Sequence, residues 1–187
     1  MNSHQTAVPL SKAYLLLNHG PVTLVSSAAG GQRNVMAAAW AMPLDFSPPK
    51  VAVVIDRNTL TRQLMEDSGE FVLNIPSRTQ AEQILKVGSS TGREIDKFAE
   101  LGLTGESGTR VSAPLIDGCV AWLECKILPE PANQEKYDLF LAEVVAAWAD
   151  PAVFSEGRWH FPSPGQHTLH YAAGGHFFAT GEGFDVS

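Results

Sequence analysis

The sequence predicts a mainly β fold with added helices, an antiparallel barrel of the α+β class, and three observations predict it. Two long strand-like runs dominate the second half of the chain. The first half opens on a hairpin signal followed by apolar, β-branched segments. The helical stretches between these strands follow no regular strand–helix–strand alternation. A chain of 187 residues suits one domain, spanning 1–187, with no linker or repeat to divide it.

In chain order, Val22 to Val25, ending near Ala29, reads as a strand, Gly30-Gly31-Gln32 as a tight turn and Asn34 to Trp40 as the returning strand. Alanine at 37–39 favours helix, but the Gly-Gly turn and the prolines from Pro43 to Pro49 leave too little room for one. Ala41-Met42-Pro43 is expected to form a bend. Val51 to Ile55 is a continuous apolar run, the pattern of a strand covered on both faces. Thr59 to Asp67 has helical spacing and stops at Gly69. Phe71 to Ile75 is a strand closed by Pro76. Thr79 and Glu82 suggest a capping box for a helix carrying Ile84 and Leu85 and stopped by Gly88. Glu94 to Leu101 predicts a shorter helix with Gly102 past its end.

Cys119 to Ile127 alternates as a strand, Pro129 to Glu135 supplies a turn, and Tyr137 to Trp148 returns. Phe140, Ala142, Val144, Ala146 and Trp148 are expected to share one face of it. Phe154 to Ser187 reads as short strands and loops. Cys119 and Cys125 lie about 20 Å apart along one strand, beyond disulfide reach, so both read as core thiols in a reducing cytoplasm.

Composition excludes several classes. With 44% hydrophobic and 18% charged residues the chain is neither disordered nor a coiled coil. Acids outnumber bases 20 to 13, a net charge of -7, which disfavours nucleic acid or an anionic membrane as partner. No segment reaches the ~18 apolar residues of a spanning helix, and Met1 to Val8 is polar without a basic lead, so neither membrane insertion nor secretion is expected.

The stretch from Asn34 to Thr61 offers an amide, the Met36 sulfur, the Trp40 indole and a bend at Ala41-Met42-Pro43. It ends in Asp56-Arg57-Asn58-Thr59-Leu60-Thr61, where a helix begins. An arginine, two hydroxyls and free N–H groups at a helix start suit a phosphate monoester. A flat ring tethered to that phosphate could lie along the preceding strands. Flavin mononucleotide (FMN) and pyridoxal phosphate both satisfy that chemistry. So does no ligand at all, with Asn58 or Thr59 as a cap and Arg57 a solvated charge.

Order and spacing add a resemblance. Pro21 to Val25, Asn34 to Pro43, Pro48-Pro49 with Val51 to Ile55, and Thr59-Leu60-Thr61 are similar to the flavin reductase-like family, in the flavoredoxin branch of the FMN-binding split barrels. The similarity continues through Gly69 to Pro76, Gly92, Asp96-Lys97-Phe98 and His170-Tyr171-Ala172. The resemblance implies an antiparallel split β-barrel that forms a homodimer with FMN at the interface. It implies ring and ribityl contacts from Asn34, Val35, Met36, Trp40, Ala41 and Met42, and a phosphate held by Arg57, Thr59 and Thr61. Lys97 would either reach the phosphate or pair with Asp96 or Glu94 on a helix surface. His170 is a candidate beside the second substrate. Relatives carry a basic residue at the position of Thr59, which leaves Arg57 as the guanidinium here. They also have a longer glycine run with a basic residue after it, where this chain has Gly174-Gly175 and His176.

The implied activity is an NAD(P)H-dependent flavin reductase, with hydride passing from nicotinamide C4 to flavin N5 and electrons onward to a small-molecule or protein acceptor. The alternative is an FMN-binding electron carrier or sensor without appreciable NAD(P)H activity. Neither needs a protein nucleophile, because the flavin carries the chemistry. No G-x-G-x-x-G fingerprint occurs. His160, His167, His170 and His176 match no standard metal-ligand spacing, so no metal is expected.

Overall fold

The computed structural model describes residues 5–186; Met1–His4, the start of the polar lead, and Ser187 lie outside the described residues. Strand β1 (Thr6–Ala7) and a 3-10 turn (Leu10–Leu16) precede the hairpin of β2 (Thr23–Ala29) and β3 (Gln32–Ala38). Next come β4 (Ala41–Phe46), β5 (Pro49–Val54), α1 (Leu60–Ser68), β6 (Glu70–Ile75), α2 (Ala81–Ser89) and α3 (Lys97–Glu100). The second half holds β7 (Gly105–Ser107), β8 (Pro114–Ile116), β9 (Ala121–Ile127), α4 (Pro131–Tyr137) and β10 (Leu139–Ala149). It ends in β11 (Phe154–Ser155), β12 (Arg158–Trp159), β13 (Leu169–Ala173) and β14 (His176–Ala179).

The main sheet is antiparallel in the order β3-β2-β6-β9-β10-β5-β4, with β1 added to β10. It rolls into a split barrel: all seven strands of that path put side chains into one core, which includes Val25, Ala38, Ala41, Val53, Phe71, Leu123 and Phe140. The path ends at β3 and β4, and the split lies between them. Period-two alternation sends the intervening residues outward. Leu24, Val35, Val72 and Trp122 form a second core beneath Ile84 and Val87 of α2 and Phe98 of α3. Burying a side chain such as Phe71 or Phe140, both 0% exposed, contributes ~1.5–3 kcal/mol.

The β2–β3 turn is as read: Ala29 pairs with Gln32, and Gly30 and Gly31 both take positive φ, as a two-residue hairpin turn requires. Helix α1 starts at its Thr59 cap and stops at Gly69, φ 72°. Elsewhere the structure corrects the sequence reading. The stretch after Trp40 is no bend but strand β4, paired with β5; the bend is Ala39-Trp40 itself. The capping box is Ser77 with Gln80, two residues ahead of Thr79 and Glu82. Helix α3 is shorter than 94–101 because the Asp96 carboxylate accepts from the Phe98 N–H (2.9 Å) and fixes the start there. The expected turn at 129–135 is helix α4, begun by Pro131 and ended at Asp138, φ 55°. A bulge between Val144 and Ala146 splits the predicted face of β10. Phe140, Ala142 and Val144 stay in the barrel core, but Ala147 and Ala149 follow them, while Trp148 packs on the outer one.

Cys119 and Cys125 are free and buried, and burial pushes both thiols up. No helix among the described residues is long and apolar enough to cross a membrane.

Candidate functional site

The Ala39-Trp40 corner, where β3 gives way to β4, borders a cleft of about 460 Å³. Trp40 is 74% exposed there. Met36 and Val54 come from the barrel strands, Leu85 from α2, and Tyr171 and Phe177 from the β13–β14 hairpin. The lining is almost wholly apolar: among the described residues Asp56 is its sole charged side chain, and neither lysine nor arginine contributes. Ligand pockets of this character run to ~300–1,000 Å³.

The chain leaves β5 through Asp56 and turns into α1. The Asp56 carboxylate accepts from the Asn58 N–H (2.7 Å), and the Asp56 carbonyl accepts from the Thr59 hydroxyl (2.8 Å). The Thr59 oxygen accepts in turn from the Arg62 N–H (3.2 Å). The N–H groups of Leu60 and Thr61 stand in the first turn, where an α-helix provides no internal acceptor. The Asn34 amide donates to the Thr61 hydroxyl at 2.9 Å, both residues being buried. The chain at Gly92 lies so close to Asn34 that a Cβ there would sit 2.2 Å from the amide oxygen. Only glycine allows that approach. Its neighbour Arg93 donates to the carbonyl of Asn58 (3.0 Å) and to the Gln63 side chain (3.2 Å). A guanidinium therefore stands at the start of α1.

The predicted residues divide into those this arrangement gathers and those it does not. Asn34, Thr59 and Thr61 meet at the head of α1, and Met36 and Trp40 line the cleft. Val35 and Ala41 bury their side chains in opposite cores and present only main chain. Met42 is 54% exposed on the outer face of β4. Arg57 is turned away toward α4, donating to the Glu135 carbonyl (2.8 Å) and pairing with Asp138 (3.0 Å). Burial alone would raise the Asp138 pKa, but hydrogen bonds and charge from Arg62 and Arg57 outweigh it and hold the carboxyl below its ordinary range.

Lys97 takes up neither placement weighed from sequence. It is 4% exposed, and its ammonium donates to the carbonyls of Val35 (3.0 Å) and Val87 (2.8 Å), tying β3 to α2. Burial lowers its pKa to about 8. His170 does not line the cleft either. Its ring Nδ1 lies 3.0 Å from the Gly20 carbonyl and its ring packs edge-on against His19; Tyr171, one residue on, is the cleft residue. Successive strand residues face opposite ways, so one position decides the outcome.

Sequence reading missed Arg93 and Tyr171. Tyr171 was within reach, through period-two reasoning from buried Leu169. A lone arginine in a polar loop carries no local signal. Among the described residues no group of three or more His, Cys, Asp or Glu could hold a metal ion.

FMN fits this donor set. An apolar cleft adjoins Asp56, and three residues further on Thr59 caps a helix start with two hydroxyls, first-turn N–H groups and Arg93. This is the combination a ring with a phosphate tail needs.

Comparison with known proteins gives the same direction. Residues 16–179 match the model of the flavin reductase like domain. The chain is 43% identical over 178 residues to the uncharacterized protein YddH of Escherichia coli (strain K12), covering 94% of each chain. It is similar to the crystal structure of an FMN-binding domain of a flavin reductases-like enzyme from Shewanella baltica. The TM-score is 0.95 at 47% identity, over 98% of this chain and 97% of that one. Flavoredoxin of Desulfovibrio vulgaris (Miyazaki F) superposes with a TM-score of 0.78 at 27% identity, over 90% of both chains.

Proposed function

The chain belongs to the flavin reductase-like family of FMN-binding proteins, and from that premise we propose that it is an NAD(P)H-dependent, FMN-bearing oxidoreductase. The observation that carries this reading is the adjacency of an apolar cleft to a phosphate-suited helix start. When bound, FMN supplies the redox chemistry by accepting hydride at N5. The protein's part is to bind and to orient. Thr59, the first-turn N–H groups of α1 and Arg93 hold the phosphate, with Thr61 buried behind them; Met36 and Trp40, with the main chain of Val35 and Ala41, hold the ring and its ribityl chain.

Asn34 fixes the Thr61 hydroxyl, and Lys97 holds the β3 main chain from behind rather than touching the phosphate. Arg57, engaged by Asp138, serves the fold of the turn. His170 acts one layer behind the cleft. The family resemblance implies a homodimer that shares the site, and the exposed row Met42, Leu44 and Phe46 on edge strand β4 supports it. A small molecule or a protein then takes the electrons.

The deciding experiment is anaerobic mixing of FMN-loaded protein with NADH or NADPH in a stopped-flow instrument. Rapid bleaching of the flavin band supports the oxidoreductase. One observation favours the carrier reading instead: among the described residues no cation lines the cleft to receive a dinucleotide's phosphates. Bleaching by dithionite but by neither nicotinamide would establish that second reading.

A further inference from the structure

The β13–β14 hairpin forms one wall of the cleft, and its construction is specific. Gly174 and Gly175, both at positive φ, close it, with Ala173 paired to His176. This register sets Tyr171 directly across from Phe177, rings 5.2 Å apart and tilted by 59°. Both side chains face the cleft, and Tyr171 is 42% exposed, so an aromatic surface is left open to an incoming ring. Ile84 and Leu85 of α2 also line the cleft, and Leu85 packs beside the hairpin turn at Gly175. Asp56 is the charged group on the lining, and its Oδ1 is fixed by the Asn58 N–H.

We propose that Tyr171 and Phe177 seat the second ligand of this site and that, with Asp56, they restrict the part entering the cleft to a flat ring without negative charge. This rests on the FMN reading of the same cleft and deepens it by naming a ligand class. Apolar walls offer an anion nothing to replace its water, and the one carboxylate repels it. A neutral ring loses little hydration and gains two aromatic neighbours. Carboxylated or phosphorylated rings are thereby rejected in favour of neutral ones such as cyclic ketones, aldehydes and amides.

Benzamide and benzoate test this, since they match in size and differ in charge. Their dissociation constants are measured by calorimetry on the protein with and without FMN. Benzamide is expected to bind about 5-fold more tightly than benzoate or better, as one nearby surface charge warrants. Asp56→Asn keeps the oxygen that accepts from Asn58 and should bring the two constants within about 2-fold. Tyr171→Ala and Phe177→Ala, checked by circular dichroism for an intact fold, should each weaken benzamide by about 3- to 10-fold. Equal affinities in the wild type, an unchanged ratio in Asp56→Asn, or no binding of either probe overturns the proposal. Failure of FMN itself to bind overturns the cofactor reading instead, and the FMN-free titration still judges the wall.

Discussion

The Asn34 amide on β3 donates a 2.9 Å hydrogen bond to the hydroxyl of Thr61 in the first turn of α1. Asn34 is 3% exposed and Thr61 0%, so water cannot replace either partner. Thr61→Val keeps the shape and deletes the acceptor, leaving a buried amide donor unpaired. The expected cost is about 1–3 kcal/mol, read as a lower urea midpoint with an unchanged slope. FMN affinity should fall with it, because this pair fixes the first turn of α1, whose N–H groups face the phosphate in the proposed site. Thr61→Ser should restore both. A wild-type midpoint in Thr61→Val would show that the amide finds another acceptor.

Two arginines compete for the role of phosphate ligand, and their partners separate them. Arg57 is paired with Asp138, whereas among the described residues Arg93 reaches neutral groups at the start of α1: the carbonyls of Asn58 and Thr59 and the Gln63 amide. Arg93→Ala should weaken FMN by about 10- to 100-fold, the worth of a charge-assisted hydrogen bond, and leave riboflavin, which lacks the phosphate, within about 2-fold. Arg57→Ala should shift FMN much less. Fluorescence-quenching titrations with both ligands give the answer, and equal losses for FMN and riboflavin in Arg93→Ala would move the phosphate elsewhere.

Much of the barrel was legible because alternation and glycine turns are local signals. The β2–β3 hairpin, β6, β9 and helix α1 follow from them directly. Strand β4 was not, because Met42, Leu44 and Phe46 point outward at a sheet edge and Pro43 interrupts the run, so its pattern imitates a loop. The face of β10 slipped at a bulge, which one extra residue creates without any marked composition. Of the candidate site, the residue types were readable and their meeting was not. Thr59 and Arg93 are brought together only by folding across 34 residues. Lys97 reads as a surface helix residue until α2 is known to lie over it.

His19 should make the hairpin wall sensitive to acid. Burial, helped by the neighbouring His170, lowers its pKa from 6.5 to about 4. Its Nε2 lies 2.8 Å from the Thr168 hydroxyl, and the Val22 N–H donates to the Leu169 carbonyl nearby (2.7 Å). A folded pKa below the unfolded one means that the unfolded chain takes up the proton first. Stability from His19 is therefore complete above about pH 6.5 and is lost as pH falls toward 4. Urea midpoints at pH 7, 5 and 4 should fall less steeply in His19→Gln than in the wild type. Identical profiles would remove His19 from the acid response.

The exposed row on β4 should dissociate the proposed dimer when charged. Met42, Leu44 and Phe46 are 54%, 46% and 65% exposed on the last strand of the sheet path, an arrangement a monomer has reason to avoid. Phe46 still leans on its own chain, 5.9 Å from the Tyr14 ring, so Leu44 is the cleaner position to alter. Leu44→Glu adds a charge where two copies would meet and leaves the barrel core untouched. Light scattering should report a dimer for the wild type and a monomer for the variant. FMN affinity should drop in parallel if each copy completes the other's site. A variant that stays dimeric would place the contact on another face. A monomer with undiminished FMN affinity would show that each copy holds its flavin alone.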